Sequence, residues 1–282
     1  MRVPLIIGVF GKGGVGKTTF TALLLKALIE RRKELETKLG KTPTILAVDA
    51  DPNTCLPAAL GVKKFTTLDH LTEEFKGKSI DPELFQSRFQ NLMLENEQED
   101  YDLLVMGRGE SGGCYCYINY LLKHAVEKYV LKGDYAYDFI LMDCEAGLEQ
   151  ISRKTASWVD NLVILTDPSE TSLKTLERIK KTLSELSLKE GIPVGRVFIL
   201  GNLAREFPKG SYPFIEEKIR SHTKSIGAEY LGTLPYEAKI QELNLAGRPV
   251  VELPREVEFY RKIEEVLEKL IAAATKKDRP NS

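Results

Sequence analysis

Short apolar runs alternate along the chain with longer stretches in which apolar residues recur every three or four positions. The runs at 4–10, 44–48, 102–106, 137–142, 161–166, 196–200 and 229–234 are β-branched or leucine-rich, and several are apolar at consecutive positions. A strand covered on one face alternates; a strand covered on both does not. These runs therefore predict buried strands of a parallel sheet. Helical spacing fills the stretches 17–39, 116–131, 169–189, 211–226 and 255–274. In the first of these Phe20, Leu23, Leu24, Ala27, Leu28, Leu35 and Leu39 share one broad face. Strand–helix alternation of this kind predicts an α/β fold, a mostly parallel sheet with helices on both faces.

The stretch 61–100 breaks the rhythm. It reads as two short helices, 67–75 and 82–94, followed by acidic residues at 95–100, and is expected to be a helical insertion resting on the α/β core. No repeat, low-complexity tract or Pro/Gly/Ser linker divides the 282 residues. One domain over 1–275 with a short tail at 276–282 is the expectation.

Charge narrows the partners. Forty basic and forty-one acidic residues leave a net charge of −1, which argues against a nucleic-acid partner. The apolar opening 3–10 is too short to span a membrane and runs into glycines. The C-terminal helical stretch mixes acidic and basic residues around an apolar stripe, so it is expected to pack on the core and not to anchor the chain to a membrane. With four cysteines there is no disulfide framework. A cytoplasmic, reducing location is expected, where paired cysteines point to metal or redox chemistry.

The segment Gly11-Lys12-Gly13-Gly14-Val15-Gly16-Lys17-Thr18 fits G-x-x-x-x-G-K-[ST], with a strand before it and a helix after it. Glycines let backbone N–H groups turn around phosphates at a helix N-terminus. Lys17 is suited to the β- and γ-phosphates, and the Thr18 hydroxyl to Mg²⁺. The run 139–142 ends in Asp143, an acid at a strand end suited to holding Mg²⁺ through water. Asn202, at the end of another run, has both donors and an acceptor for an adenine edge; a turn beside Gly201 is the competing use.

With its second lysine, Gly11-Lys12-Gly13-Gly14-Val15-Gly16-Lys17-Thr18-Thr19 resembles the deviant P-loop of the MinD/ParA and nitrogenase iron-protein superfamily. The resemblance implies an ATP-hydrolysing homodimer with nucleotide sandwiched between its protomers, in which Lys12 crosses to the partner's phosphates. It also implies that Asp51, in Asp49-Ala50-Asp51-Pro52-Asn53, orients the attacking water and touches the Mg²⁺ shell. Gly147 would then sense the γ-phosphate, Asn202 would read adenine, and Leu234-Pro235-Tyr236-Glu237 would line the base.

Two thiols two residues apart, Cys114 and Cys116, follow a glycine-rich stretch. Two ligands do not complete a metal site, but two-fold symmetry doubles them to four. Tetrahedral sulfur suits Zn²⁺ or an iron–sulfur cluster; a flattened set suits Ni²⁺. Gly-Arg-Gly-Glu-Ser-Gly-Gly-Cys-Tyr-Cys at 107–116, Asp-Cys-Glu-Ala-Gly-Leu-Glu at 143–149 and Thr-Asp-Pro-Ser at 166–169 together resemble the CooC-type ATPases. That resemblance runs to about Val251. It implies a nickel-inserting ATPase whose Cys114 and Cys116 bind Ni²⁺ (or Zn²⁺) across a homodimer formed on ATP and metal binding. Its client would be a nickel enzyme, carbon monoxide dehydrogenase or acetyl-CoA synthase. Cys55 is expected to be a buried or semi-buried bystander and Cys144 a residue beside the switch. A positioning or partitioning role, as in MinD/ParA proteins, would leave the cysteine pair idle. An ATP-dependent iron–sulfur reductase of that superfamily would take its two ligands per chain from well-separated segments, where this chain offers a close pair; Cys114 with Cys144 is the imaginable ligand set.

Overall fold

The structure is a computed structural model and describes residues 4–75, 81–108, 122, 124–131, 137–145, 159–190, 195–208 and 210–275. Every apolar run singled out in the sequence is a strand: β1 (Leu5–Gly11), β2 (Ile45–Ala50), β3 (Asp102–Val105), β4 (Phe139–Cys144), β5 (Asn161–Thr166), β6 (Arg196–Asn202) and β7 (Glu229–Leu234). They form one seven-stranded sheet in the order β3-β2-β4-β1-β5-β6-β7. All neighbouring pairs are parallel. Successive residues supply opposite faces: Ile6 and Phe10 enter one apolar cluster, Ile7 and Val9 the other. Continuous apolarity is thus the mark of a strand covered on both sides.

One face is covered by α1 (Lys17–Glu30), α2 (Arg32–Leu39), α3 (Leu56–Leu60), α8 (Ala238–Leu245) and α9 (Glu258–Thr275), and the other by α4 (Asp69–Phe75), α5 (Pro82–Glu95), α6 (Glu170–Glu190) and α7 (Tyr212–Ser225). The helix expected over 17–39 is two helices. They part at Arg31, whose φ of −91° and ψ of 6° leave the helical region. Leu35 is the one buried side chain of α2, so little holds that segment to the axis of α1. Helices α3 and α8 were not expected, because runs of 5 and 8 residues are too short to display a period. Val126–Leu131 winds as a π-helix.

The insertion does more than rest on the core. Phe85 and Phe89 of α5 are fully buried and stack on Tyr129 with ring centroids 5.9 and 5.5 Å apart. Asp81 caps α5 by accepting from the N–H groups of Glu83 and Leu84. Asp69, opening α4, accepts from the Arg108 N–H at 3.1 Å and so ties the insertion to the end of β3. The outer edge of β7 is blunted, since Lys269 donates to the Leu231 carbonyl and Tyr212 to that of Thr233, both at 2.6 Å. Tyr260, Ile263, Leu267 and Leu270 of α9 are fully buried, so this helix packs on the core as expected. No described helix is long and apolar enough to cross a membrane.

Candidate functional site

The C-terminal ends of the central strands converge where β1 meets α1. Gly11 closes β1 with φ +150°, and a Cβ there would sit 2.6 Å from the Leu165 carbonyl oxygen. Gly16 has φ +93°, and its Cβ would meet the Asn202 amide at 2.5 Å. Both positions demand glycine for conformation and for space. Between them Val15 is buried, while Lys12, Gly13 and Gly14 are exposed. Lys17 opens α1 and is 7% exposed, with its ammonium 3.5 Å from the Lys12 carbonyl. Its charge is held above the loop, at the positive end of the helix dipole, where an anion is favoured.

Thr18 and Asp143 lie 125 positions apart in sequence and meet through a 2.6 Å hydrogen bond from the hydroxyl to Asp143 Oδ2. Asp143 is 1% exposed, and its other carboxylate oxygen accepts no hydrogen bond among the described residues. Burial is the main cause that pushes this carboxyl up to about 6, against the pull of Thr18 and Lys17. A buried carboxylate oxygen without a donor, beside a hydroxyl, is a donor set fitted to a hard cation such as Mg²⁺.

Asp49, which sequence reasoning passed over, stands opposite Asp143 in the β2–β4 ladder. It is fully buried, and burial followed by the Asp143 charge pushes it up to about 7. The signal was present in Asp49-Ala50-Asp51, where an acid two residues before another also ends a strand. Because both carboxyls titrate above their ordinary 3.8, the native state keeps protons that the unfolded chain has lost. This contribution is fully present below pH 3.8 and is lost as pH rises towards about 7. In metal- and nucleotide-free protein, the stability of wild type relative to Asp49→Asn is therefore expected to fall across that window. Chemical denaturation at a series of pH values checks it; a difference that rises with pH would mean Asp49 is ionised in the fold.

Asp51 is partly buried and accepts from the N–H and side-chain amide of Asn53 at 2.8 and 2.9 Å. Lys12 points out of the loop to the first turn of α6, where its ammonium donates to the Thr171 hydroxyl at 3.4 Å. Asp167 lies in the same cluster. Burial raises its carboxyl, but hydrogen bonds from Ser169 and Ser172 and the Lys12 charge outweigh this and hold it low. Asn202 sits behind the loop and donates to the Val15 carbonyl at 2.7 Å, leaving its own carbonyl oxygen buried without a partner among the described residues. Leu234 is buried at the end of β7, and its carbonyl accepts from Leu203 N–H at 3.0 Å. Pro235 and Tyr236 are partly buried, and Glu237 caps α8 by accepting from Lys239 N–H at 3.0 Å. Thr19 is partly buried on the first turn of α1.

Cys114, Cys116 and Gly147 lie outside the described residues. Cys55 is exposed, not buried or semi-buried, because the turn ahead of α3 leaves it facing solvent. Cys144 is buried, and the loss of solvent pushes its thiol far above the ordinary range, which suits a neutral packing residue and not a thiolate ligand. Among the described residues no group of three or more His, Cys, Asp or Glu side chains is arranged to hold a metal ion.

A family described as AAA domain matches residues 5–192. The MinD cell division protein of Aquifex aeolicus superposes with a TM-score of 0.63 at 21% identity, covering 99% of each chain. The ParA family ATPase from Chlorobium tepidum gives 0.63 at 19%, covering 94% of this chain and 98% of that one. The chain belongs to the AAA-domain family and is an ATPase. Among its relatives, an uncharacterised ATP-binding protein of Methanocaldococcus jannaschii is 39% identical over 95% of this ATPase and 98% of its own length. The carbon monoxide dehydrogenase accessory protein CooC of Rhodospirillum rubrum is 30% identical over 74% of this ATPase and 83% of its own length.

Proposed function

We propose that this ATPase is a metallochaperone that binds Ni²⁺ (or Zn²⁺) and delivers nickel to a client such as carbon monoxide dehydrogenase or acetyl-CoA synthase. The observation that carries the reading is the two-lysine phosphate loop and Cys114-Tyr115-Cys116 in one chain that is 30% identical to a carbon monoxide dehydrogenase accessory protein. In this reading residues 1–275 form one cytoplasmic ATPase unit with the insertion at 61–100, and 276–282 is a tail.

ATP lies on the loop Gly11–Thr19, with backbone N–H groups and the Lys17 ammonium on its phosphates. The Thr18 hydroxyl and Asp143 would hold Mg²⁺, with Asp51 against its water shell; the support is the Asp143 oxygen that accepts no hydrogen bond among the described residues. When bound, Mg²⁺ supplies charge neutralisation at the β- and γ-phosphate oxygens. Asp51 orients the attacking water. Lys12 leaves Thr171 and reaches the phosphates of the partner protomer, so ATP draws two chains together. Asn202 offers its carbonyl oxygen, unpaired among the described residues, to the adenine amino group, and Leu234–Glu237 border the base. Closure brings two Cys114/Cys116 pairs into one sulfur site for the soft metal cargo, and hydrolysis opens that site for release.

Equilibrium Ni²⁺ and Zn²⁺ binding, with and without ATP, tests this on wild type and on a Cys114→Ala/Cys116→Ala chain. Wild type is expected to bind metal more tightly with ATP, and the variant to lose at least about tenfold in affinity, or 1.4 kcal/mol. Equal binding by both chains, or by neither, overturns the proposal. A brown colour after anaerobic purification would point instead to an iron–sulfur cluster.

A further inference from the structure

We infer that Asp49 is a positioning residue for ATP hydrolysis, holding the loop that carries Asp51 against the Thr18–Asp143 pair. The inference rests on the reading that Asp51 orients the attacking water.

Both oxygens of Asp49 are committed to that loop. Oδ1 accepts from the Asp51 N–H at 3.1 Å and Oδ2 from the Leu56 N–H at 2.9 Å. The loop between these two points therefore closes around one buried carboxylate. Within it the Thr54 N–H donates to the Asp51 carbonyl at 3.0 Å. Thr54 also takes a φ of +54°, the one positive-φ residue besides glycine among those described. A threonine held left-handed costs energy and persists only where its surroundings over-determine it. The clamp reaches further, because the Asp49 carbonyl accepts from Met106 N–H at 2.9 Å and its Cα stands opposite that of Asp143. One residue thus ties the Asp51 loop, the end of β3 and the proposed metal-holding carboxylate together.

Charge and shape explain why the residue is aspartate. A carboxylate presents two acceptor oxygens on a short stem, whereas asparagine presents one and turns a donor towards the second N–H. Because both Asp49 oxygens are occupied and the side chain is fully buried, it does not itself meet phosphate. It acts through Asp51. Supporting groups of this kind typically contribute about 10–100-fold to activity.

Steady-state ATP hydrolysis and equilibrium ATP binding, measured with Mg²⁺ on full-length wild type, Asp49→Asn, Asp51→Asn and the double variant, provide the test. Asp49→Asn is expected to lower kcat about 10–100-fold while leaving KM and ATP affinity within about threefold. The double variant is expected to be no slower than Asp51→Asn, since Asp49 works through the same step. Asp49→Ser is carried through the same assays, so that a folding defect of one variant does not decide the result. Unchanged kcat in the Asp49 variants, multiplied losses in the double variant, or loss of ATP binding in step with turnover overturns the inference. Full turnover by Asp51→Asn instead sinks the assignment of Asp51, and with it the basis for Asp49. Full turnover by Asp49→Asn beside a dead Asp51→Asn sinks only the positioning role.

Discussion

Replacing Lys12 with glutamine is expected to lower ATP turnover by about 10³–10⁵-fold, the range seen when a cation delivered to the transferring phosphoryl group is removed. The side chain is exposed and its contact, the Thr171 hydroxyl at 3.4 Å, is weak, so the fold loses little. Lys17, the proposed phosphate-binding lysine, remains in the loop, and nucleotide affinity should change far less than turnover. The wild-type rate per chain should also rise with protein concentration as protomers pair, whereas the Lys12→Gln rate should stay flat. Hydrolysis assays over a concentration series, with ATP binding measured in parallel, read both effects. Normal hydrolysis by Lys12→Gln would remove the cross-dimer role, and a matching loss of binding would make Lys12 a residue of its own protomer's site.

Phe20→Ala is expected to cost about 3–5 kcal/mol. Phe20 lies on the first turns of α1 behind Thr18 and is fully buried in the cluster shared with β1, β5 and α9. Its loss removes apolar contact and leaves a cavity that the sheet and α9 cannot close without moving. Against an ordinary stability of about 5–15 kcal/mol, that is a large share. Denaturant unfolding should show the midpoint falling at constant slope, and added Mg²⁺-ATP should recover part of it by binding the native state. A loss below about 1 kcal/mol would mean that the phosphate-loop helix does not depend on this packing. Were activity to fall without any loss of stability, Phe20 would have a role in the site that its burial does not suggest.

Much of the fold was legible because its signals are local. Continuous apolarity in β1, β2 and β4 reports burial on both faces, and glycine at 11 and 16 reports positive φ. Short helices escaped for the same reason: α3, with 5 residues, has too few positions to show a period. The break at Arg31 escaped because α1 and α2 share an apolar spacing that continues across it. The proposed Mg²⁺ residues Thr18 and Asp143 were each recognisable in their own motifs. Asp49 was not: Asp49-Ala50-Asp51 shows two acids at a strand end, but which carboxylate turns inward depends on the register of β2 against β4.

By itself the sequence determined the class of fold, the phosphate loop and the paired thiols at Cys114 and Cys116, since each is written in the order of neighbouring residues. Only the tertiary structure decided that Asp49 faces Asp143, that Asn202 braces Val15 across 187 positions, and that Lys12 rests on Thr171 across 159. It also carried Cys144 into the core and left Cys55 in solvent. The division has one cause. Hydrophobic period and backbone conformation are set within a few residues, whereas the partners of a buried charge are chosen by strand order and register, which exist only once distant segments have packed.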